Sequence, residues 1–350
     1  MVAWTPWSRP ELACAAVLAM AVALAVDRWL GEPPLRWHPV VWMGHYLGAL
    51  GPRLWPLRRT AGRVAGALAW LLGAVGVVGL AWALQLGLAR LAAAVLPAGC
   101  GWLLQGLLAG LLLKPLLAWQ MLHDEVAAVE AALGESLDAG RLRLSRLVSR
   151  DVTQLSATEV RESALESLAE NLNDSLVAPL CWFALAGLPG AALYRFANTA
   201  DAMWGYRDHR LWAGAWAARV DDMLSWLPAR LSALLLCAAA WRWPGAAALW
   251  REAGRTPSPN GGWPMGALAL LLDRRLGKPA TYVLNEGAPL PQSQDTAVSL
   301  RWCARAAGGA AMLASSILLI LGFWTSTTGS QPGRSGQALP NPEWELKHES

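Results

Sequence analysis

The chain has 350 residues, of which 55% are hydrophobic and only 15% charged, and its net charge is +4. Soluble domains carry about 25% charged residues. The deficit, with a positive mean hydropathy, makes a bilayer the solvent for part of the chain. The small net charge and the lack of any basic run interleaved with aromatics argue against a nucleic-acid partner. The five cysteines (Cys14, Cys100, Cys181, Cys237, Cys303) form no C-x-x-C and mostly lie in or beside apolar stretches, which argues against disulfides and zinc.

Taken in chain order, Leu12–Val26 is an apolar run of 15 residues, short of the ~20 a span needs but read as a retained span rather than a cleaved leader. Asp27–Arg63 is polar and rich in Pro and Gly. Val64–Leu88 and Trp102–Trp119 are spans, the second with Lys114 near one end. Gln120–Leu147 reads as one or two amphipathic helices with a break near Gly134–Gly140. Ser156–Leu176 is helical. Leu176–Tyr194 is apolar but interrupted by Pro179, Gly187, Pro189 and Gly190. Met223–Trp241 is an apolar run headed by Pro228 and Arg230. Trp243–Leu300 is mixed, with a turn-rich stretch at Thr256–Pro264, and Cys303–Trp324 is a last span. Residues 325–350 are Ser-, Gly- and Pro-rich and read as a disordered tail. The expected fold is all-α: one polytopic membrane domain, residues 1–324, with four to six membrane segments, some of them re-entrant, plus cytoplasmic amphipathic helices.

Arg and Lys concentrate in Asp27–Arg63, His123–Arg161 and Arg242–Arg305. The positive-inside rule places all three in the cytoplasm. Between them, Leu176–Tyr194 and Met223–Trp241 must then both cross or neither. Crossing would put Arg195–Asp222 on the far side, away from the acidic block before it. Broken, re-entrant segments lining a polar cavity avoid that separation.

Ser156–Leu176 sorts its side chains by face. At 100° per residue, Glu159, Glu162, Ser163, Glu166, Glu170, Asn173 and Asp174 fall within about a third of the circumference, and Leu165, Leu168, Leu172 and Leu176 lie opposite. Carboxylates four apart repel unless a cation stands between them. Glu166, Glu170 and Asp174 can share Mg²⁺, which prefers oxygen ligands and keeps positions for substrate phosphates. The plainer alternative is a solvated charged face, although such faces usually mix signs. Tyr194–Arg230 adds Asn198 and Asp201 three apart, Tyr206 at a helix end, Asp221 and Asp222 as hard-cation ligands, and Arg207, Arg219 and Arg230 as phosphate-capable forks. Membrane-interface anchoring is the plainer account of each arginine. Ser258–Pro264 is a stiff loop holding Asn260, where Gly261 and Gly262 let backbone approach a ligand closely. Asp27 and His38 are the candidate polar contacts of the first polar block. No phosphate-binding glycine motif, zinc-protease motif or nucleophile elbow is present.

These blocks, in order, resemble one family. D-x-x-x-G-E-P with H-P-V and M-G, E-S-L-A-E-N-x-x-D, A-P-L, N-T-x-D-x-M-x-G-Y, A-A-R-x-D-D with P-A-R, and S-P-N-x-G-W-P are similar to the membrane-bound adenosylcobinamide-phosphate synthases of cobalamin biosynthesis. The resemblance runs from about Asp27 to Gly287. Glu32 stands where Asp is usual, Ser175 where Gly is usual, and the stretch after Pro264 is less acidic at its start. The resemblance implies an inner-membrane ligase with its site facing the cytoplasm. It would join adenosylcobyric acid to (R)-1-aminopropan-2-ol, or its O-phosphate, with ATP and Mg²⁺. It assigns Glu166, Glu170, Asp174, Asp221 and Asp222 to metal. Arg207, Arg219, Arg230, Asp27, His38 and Asn260 go to substrate or phosphate, and Asp201, Asn198, Tyr206 and Asn171 to substrate amides or proton transfer. Self-association, or association with other enzymes of cobalamin assembly, is compatible with it. Two alternatives stand beside it: a non-catalytic inner-membrane relative, and a transporter built on broken helices, which predicts an internal repeat the chain lacks.

Overall fold

The structure, a computed structural model, describes residues 9–97, 99–206 and 208–329. α1 (Pro10–Leu30) begins with Pro10 in its first turn, where a missing N–H costs nothing, and stops at Gly31 with φ 68°. It lengthens the short apolar run to 21 residues. α2 (Pro39–Leu54) is capped by the His38 ring, whose Nδ1 accepts the Val40 N–H at 3.3 Å. α3 (Arg59–Val95) and α4 (Gly101–Leu113) follow, then the amphipathic pair α5 (Trp119–Glu135) and α6 (Leu137–Leu144), broken at Ser136. α7 (Ala157–Leu172) runs through a π-helical turn, Asn173–Val177, into α8 (Ala178–Trp204). α9 (Leu211–Ala240), α10 (Ala246–Ala253) and α11 (Gly262–Leu272) lead to two short strands, β1 (Leu276–Lys278) and β2 (Tyr282–Leu284), and to α12 (Ser293–Gly329).

Among the described residues, six helical stretches are long and apolar enough to cross a bilayer, so the chain is an all-α polytopic membrane protein. The two strands, antiparallel with Leu276 opposite Leu284, are its small departure from all-α, and three residues are too few to show a period-two pattern. α12 is helical through Gly329, so the first residues of the expected tail continue the last span. The rest of that tail lies outside the described residues.

α1 and α4 pack closely because Gly106 and Gly110 carry no side chain. A Cβ on either would sit 2.7 Å from the Ala15 or Ala19 carbonyl oxygen, and small residues one turn apart are the usual way membrane helices approach.

α8 is not one rod. Gly187 within it has φ 69° and ψ −154°, and the chain folds back there. A continuous helix would hold Asp174 and Asn198 about 36 Å apart at 1.5 Å per residue, yet their side chains are bonded at 3.2 Å. Gly190 permits the close return, since a Cβ there would lie 2.3 Å from the Trp182 carbonyl oxygen. Pro189 occupies the first turn of the returning arm, where no N–H is needed. The Leu188 N–H is taken by Gln85 Oε1 of α3 at 2.8 Å, which satisfies a backbone donor that hydrocarbon could not.

α9 starts where α3 carries Arg59 and Arg63, both stacked 4.9 Å from the Trp212 ring. It finishes beside Arg305 of α12, which donates to the Ala239 carbonyl. The hairpin in α8 therefore brings Tyr194 and Asn198 of the returning arm back to Asp174.

Candidate functional site

α7 starts with a capping box in which Ser156 and Glu159 bond each other's backbone. Glu159, at one end of the predicted stripe, is therefore occupied in ending the helix. The rest of the stripe is not solvated: Glu162 and Glu166 are only 1% and 4% exposed. Leu165, Leu168, Leu172 and Leu176 are completely buried on the other side, so α7 is enclosed all round. Its acids are met by partners distant in sequence. Arg275 donates to Glu162 at 2.8 Å, and Arg150 stands 3.9 Å from Glu166.

Two cavities adjoin at the C-terminal part of α7. The larger, about 660 Å³, is lined by Glu170, Asn171, Asn173, Asp174, Asn198, Asp201, Tyr206, Asp221, Asp222, residues of the 257–261 loop and Lys278, among others. A smaller lobe of about 200 Å³ holds Arg150, Ser163, Glu166, Ser167 and Tyr282 and shares Ser149, Glu170, Asn171 and Lys278 with it. The hairpin in α8 creates the larger one, because its returning arm sets Asn198 and Asp201 opposite Asp174. Asn198 Nδ2 donates to Asp174 Oδ2 at 3.2 Å and faces Asp221 Oδ1 at 3.5 Å. Asp174 also accepts from Asn173 at 2.7 Å and from the Tyr194 hydroxyl at 3.2 Å, and its carbonyl takes Arg195 Nη1. The π-helical turn aims Asp174 here; such turns recur at functional sites. Tyr206 closes the rim, its hydroxyl donating to Ser149 at 3.3 Å.

Ser258–Pro264 forms one wall. Ser258 Oγ accepts the N–H groups of Asn260 and Gly261, and Asn260 Nδ2 donates to the Asp222 carbonyl at 2.8 Å. A Cβ on Gly261 would stand 2.9 Å from Glu170 Oε1, so glycine is what brings this loop against the acid.

The structure therefore gathers Glu170, Asp174, Asp201, Asp221, Asp222, Asn171, Asn198, Tyr206 and Asn260 around one space, with Glu166 in the adjoining lobe. Other predicted residues stand elsewhere. Arg219 is exposed on another face of α9 and does not line the cavity. Arg230 lies between Trp226 and Trp263, 4.3 and 4.7 Å from their rings, and donates to Asn260 Oδ1 and to the Trp226 and Pro259 carbonyls. It fastens the loop instead of facing the cavity. Asp27 and His38 belong to a separate clasp. Lys114 Nζ lies 3.1 Å from Asp27 and 2.7 Å from Glu32, and His38 Nε2 lies 3.2 Å from Glu32. Asp27 also accepts the Gln120 N–H, so the first polar block ties α1 to the end of α4. Arg207 lies outside the described residues.

Sequence reasoning passed over the cations that do line the site, Arg150 and Lys278. Arg150 sits in a loop with no periodic context, and Lys278 is delivered by the β-hairpin. Tyr282, on the same hairpin, is pushed above the usual tyrosine range by burial and then by the nearby Glu166 and Glu170 carboxylates. It remains a protonated donor.

Known proteins supply the lineage. The sequence model described as CobD/Cbib protein matches residues 20–307. A probable cobalamin biosynthesis protein CobD of Methanothermobacter thermautotrophicus is 37% identical over 280 residues, 77% of this chain and 87% of its own. The cobalamin biosynthesis protein CobD of Rhodobacter capsulatus is 37% identical over 316 residues, 86% of this chain and 97% of its own. A probable cobalamin biosynthesis protein CobD of Pyrococcus abyssi is 43% identical over 220 residues, 63% of this chain and 70% of its own. No solved structure matches the chain. With the family match covering most of the chain and four of the recognised motif blocks facing one cavity, this protein belongs to the CobD/Cbib family.

Proposed function

We propose that this chain is the adenosylcobinamide-phosphate synthase of cobalamin biosynthesis. It joins a carboxylate of adenosylcobyric acid to (R)-1-aminopropan-2-ol O-phosphate, or to aminopropanol, with ATP consumed. One observation carries the reading. The acidic block, the N-T-x-D block, the paired aspartates and the S-P-N loop are far apart in sequence and yet line a single polar cavity in a chain of this family.

A carboxylate is a poor acyl donor. In the proposed route its oxygen attacks the terminal phosphorus of ATP and ADP leaves. The amine nitrogen then attacks the acyl carbon, inorganic phosphate departs and the nitrogen gives up a proton. Asp201 is the candidate to accept that proton, and Asn198 donates to the nearby Asp174. Enclosure between the hairpin and the 258–264 loop keeps water from the activated acyl group. The cavity is far smaller than a corrinoid, so one side arm enters while the ring stays at the mouth.

Among the described residues, no three His, Cys, Asp or Glu side chains stand close enough to enclose a metal by themselves. That donor set still suits Mg²⁺, which is commonly held by one or two carboxylates and the oxygens of a substrate phosphate. Asp174, Asp221, Asp222 and Glu170 are the residues for it, and the ion would neutralise phosphate charge. The positive-inside rule puts Arg53, Arg58, Arg59 and Arg63 on the cytoplasmic side of the inner membrane, and the proposed site is assigned to that side.

The test is amide formation by the purified full chain in detergent, read by mass spectrometry. Adenosylcobyric acid, Mg²⁺ and each amine are supplied with and without ATP. Product that needs ATP is expected; no product with either amine overturns the proposal.

A further inference from the structure

Among the described residues, the larger cavity is lined by five carboxylates (Glu170, Asp174, Asp201, Asp221 and Asp222) and one cation, Lys278. It therefore draws positive charge. The adjoining lobe sets two cations, Arg150 and Lys278, beside the carboxylates of Glu166 and Glu170. Arg150 reaches it from the loop before α7, its Nη2 bonded to Ser163 Oγ and standing 3.9 Å from Glu166. Nε and Nη1 of Arg150 are buried and have no hydrogen-bond partner. Ser149, Ser167 and Asn171 line the same lobe, and Lys278 stands where the two spaces join. Buried guanidinium donors left open in a polar lobe call for an acceptor, and a planar fork beside an ammonium and hydroxyls matches the oxygens of phosphate. Of the expected phosphate arginines among the described residues, Arg219 is exposed on another face and Arg230 is committed to the loop.

We propose that Arg150 and Lys278 form an anion subsite that takes the phosphate group of a phosphorylated substrate, while the carboxylate cluster takes its positive end. This rests on the reading of the cavity as the substrate site. It gives the site a polarity along its length. A zwitterionic amino-phosphate lies with its ammonium beside Asp201 and its phosphate between Arg150 and Lys278. The amine is thereby held where a carboxylate can deprotonate it. The same donors would fit the terminal phosphate of a nucleotide, and the experiment separates the two sources.

Inorganic pyrophosphate is titrated calorimetrically into the full chain in detergent, for wild type, Arg150→Met, Lys278→Met and, as control, Arg219→Met. Loss of one charge-assisted contact should weaken binding about 10- to 100-fold in the first two variants and leave the control unchanged. Lys278 is exposed on the hairpin, so its variant tests the subsite even if Arg150→Met fails to fold. Kinetics then assign the source. A rise in KM confined to the phosphorylated amine, with the unphosphorylated amine unaffected, gives the subsite to the amine's phosphate; a rise in KM for ATP gives it to the nucleotide. Pyrophosphate affinity within twofold of wild type in both folded variants overturns the subsite. The titration needs no turnover, so an inactive wild-type protein would sink the proposed reaction and leave the subsite to be judged by binding.

Discussion

Asn198 stands between two acids, 3.2 Å from Asp174 and 3.5 Å from Asp221. Its amide is the donor that lets those carboxylates share one wall. Asn198→Leu is expected to lower turnover at least tenfold and to cost about 1–3 kcal/mol of stability, the range for buried polar groups left without a partner. The rate of amide formation and thermal unfolding in detergent measure the two effects. Wild-type values for both would show that the bridge is dispensable.

The Gln85 side chain accepts the N–H of Leu188 inside an apolar region. Gln85→Leu leaves that backbone donor bare and should destabilise the protein by about 1–3 kcal/mol, although Gln85 is remote from the acidic cavity. Gly187→Ala should do at least as much harm, since its φ is 69° and a Cβ would meet Gln85 Oε1 at 2.3 Å. Unfolding midpoints within a degree of wild type for both variants would contradict the hairpin.

The clasp around Lys114 can be tested by removing its charge. Lys114 and Asp27 are each about 2% exposed, and breaking a buried pair from one side typically costs about 3–5 kcal/mol. Lys114→Met should fall in that range, and adding Asp27→Asn should restore part of the loss. The clasp also predicts a pH dependence through Glu32. Burial works against its charge, but hydrogen bonds from His38 and Lys114, and their nearby positive charge, outweigh burial and hold the carboxyl below its ordinary value of 4.5. A carboxyl lowered in the folded state gives stability that is full above the unfolded value and is lost as pH falls through the folded one. The unfolding midpoint should therefore decline below about pH 4.5, and Glu32→Gln should flatten that decline.

Arg219 and Arg230 should behave differently although both sit on α9. Arg219→Ala is expected to stay within about 0.5 kcal/mol of wild type, as exposed substitutions usually do, with unchanged kinetics. Arg230→Ala removes the stacking on Trp226 and Trp263 and the bond to Asn260. It should raise the hydrogen exchange of residues 256–264 and reduce kcat. Equal behaviour of the two variants would remove the clamp from consideration.

Sidedness can be read with a membrane-impermeant maleimide. Cys100 is exposed at the start of α4, at the opposite end from Lys114. In sealed vesicles it should label from one side, and a cysteine introduced at the exposed Ser145 in a Cys100→Ser background from the other. Labelling of both from the same side would contradict the arrangement of α3 and α4.

Much of this protein is local information. Apolar runs and their polar ends marked the spans at 64–88, 102–119 and 303–324, because hydrocarbon demands continuous apolar surface and internally bonded backbone. The 3.6-residue period divided 156–176 into an acid face and a leucine face, and the break at Gly187–Pro189–Gly190 was legible because those residues end helices. Motif order identified the lineage. Tertiary structure decided what periodicity cannot reach. It buried the acid face, because Arg150 and Arg275 arrive from other elements to face Glu166 and Glu162. It turned Arg219 outward and bound Arg230 to a loop, because the direction of a side chain on α9 depends on what packs against each face. It moved Asp27 and His38 into a clasp with Lys114, about 80 residues away. The cations at the cavity, Arg150 and Lys278, were silent in sequence since neither sits in a repeating pattern; only the folded loop and β-hairpin bring them to the acids, through contacts whose partners are set by packing over long stretches of chain.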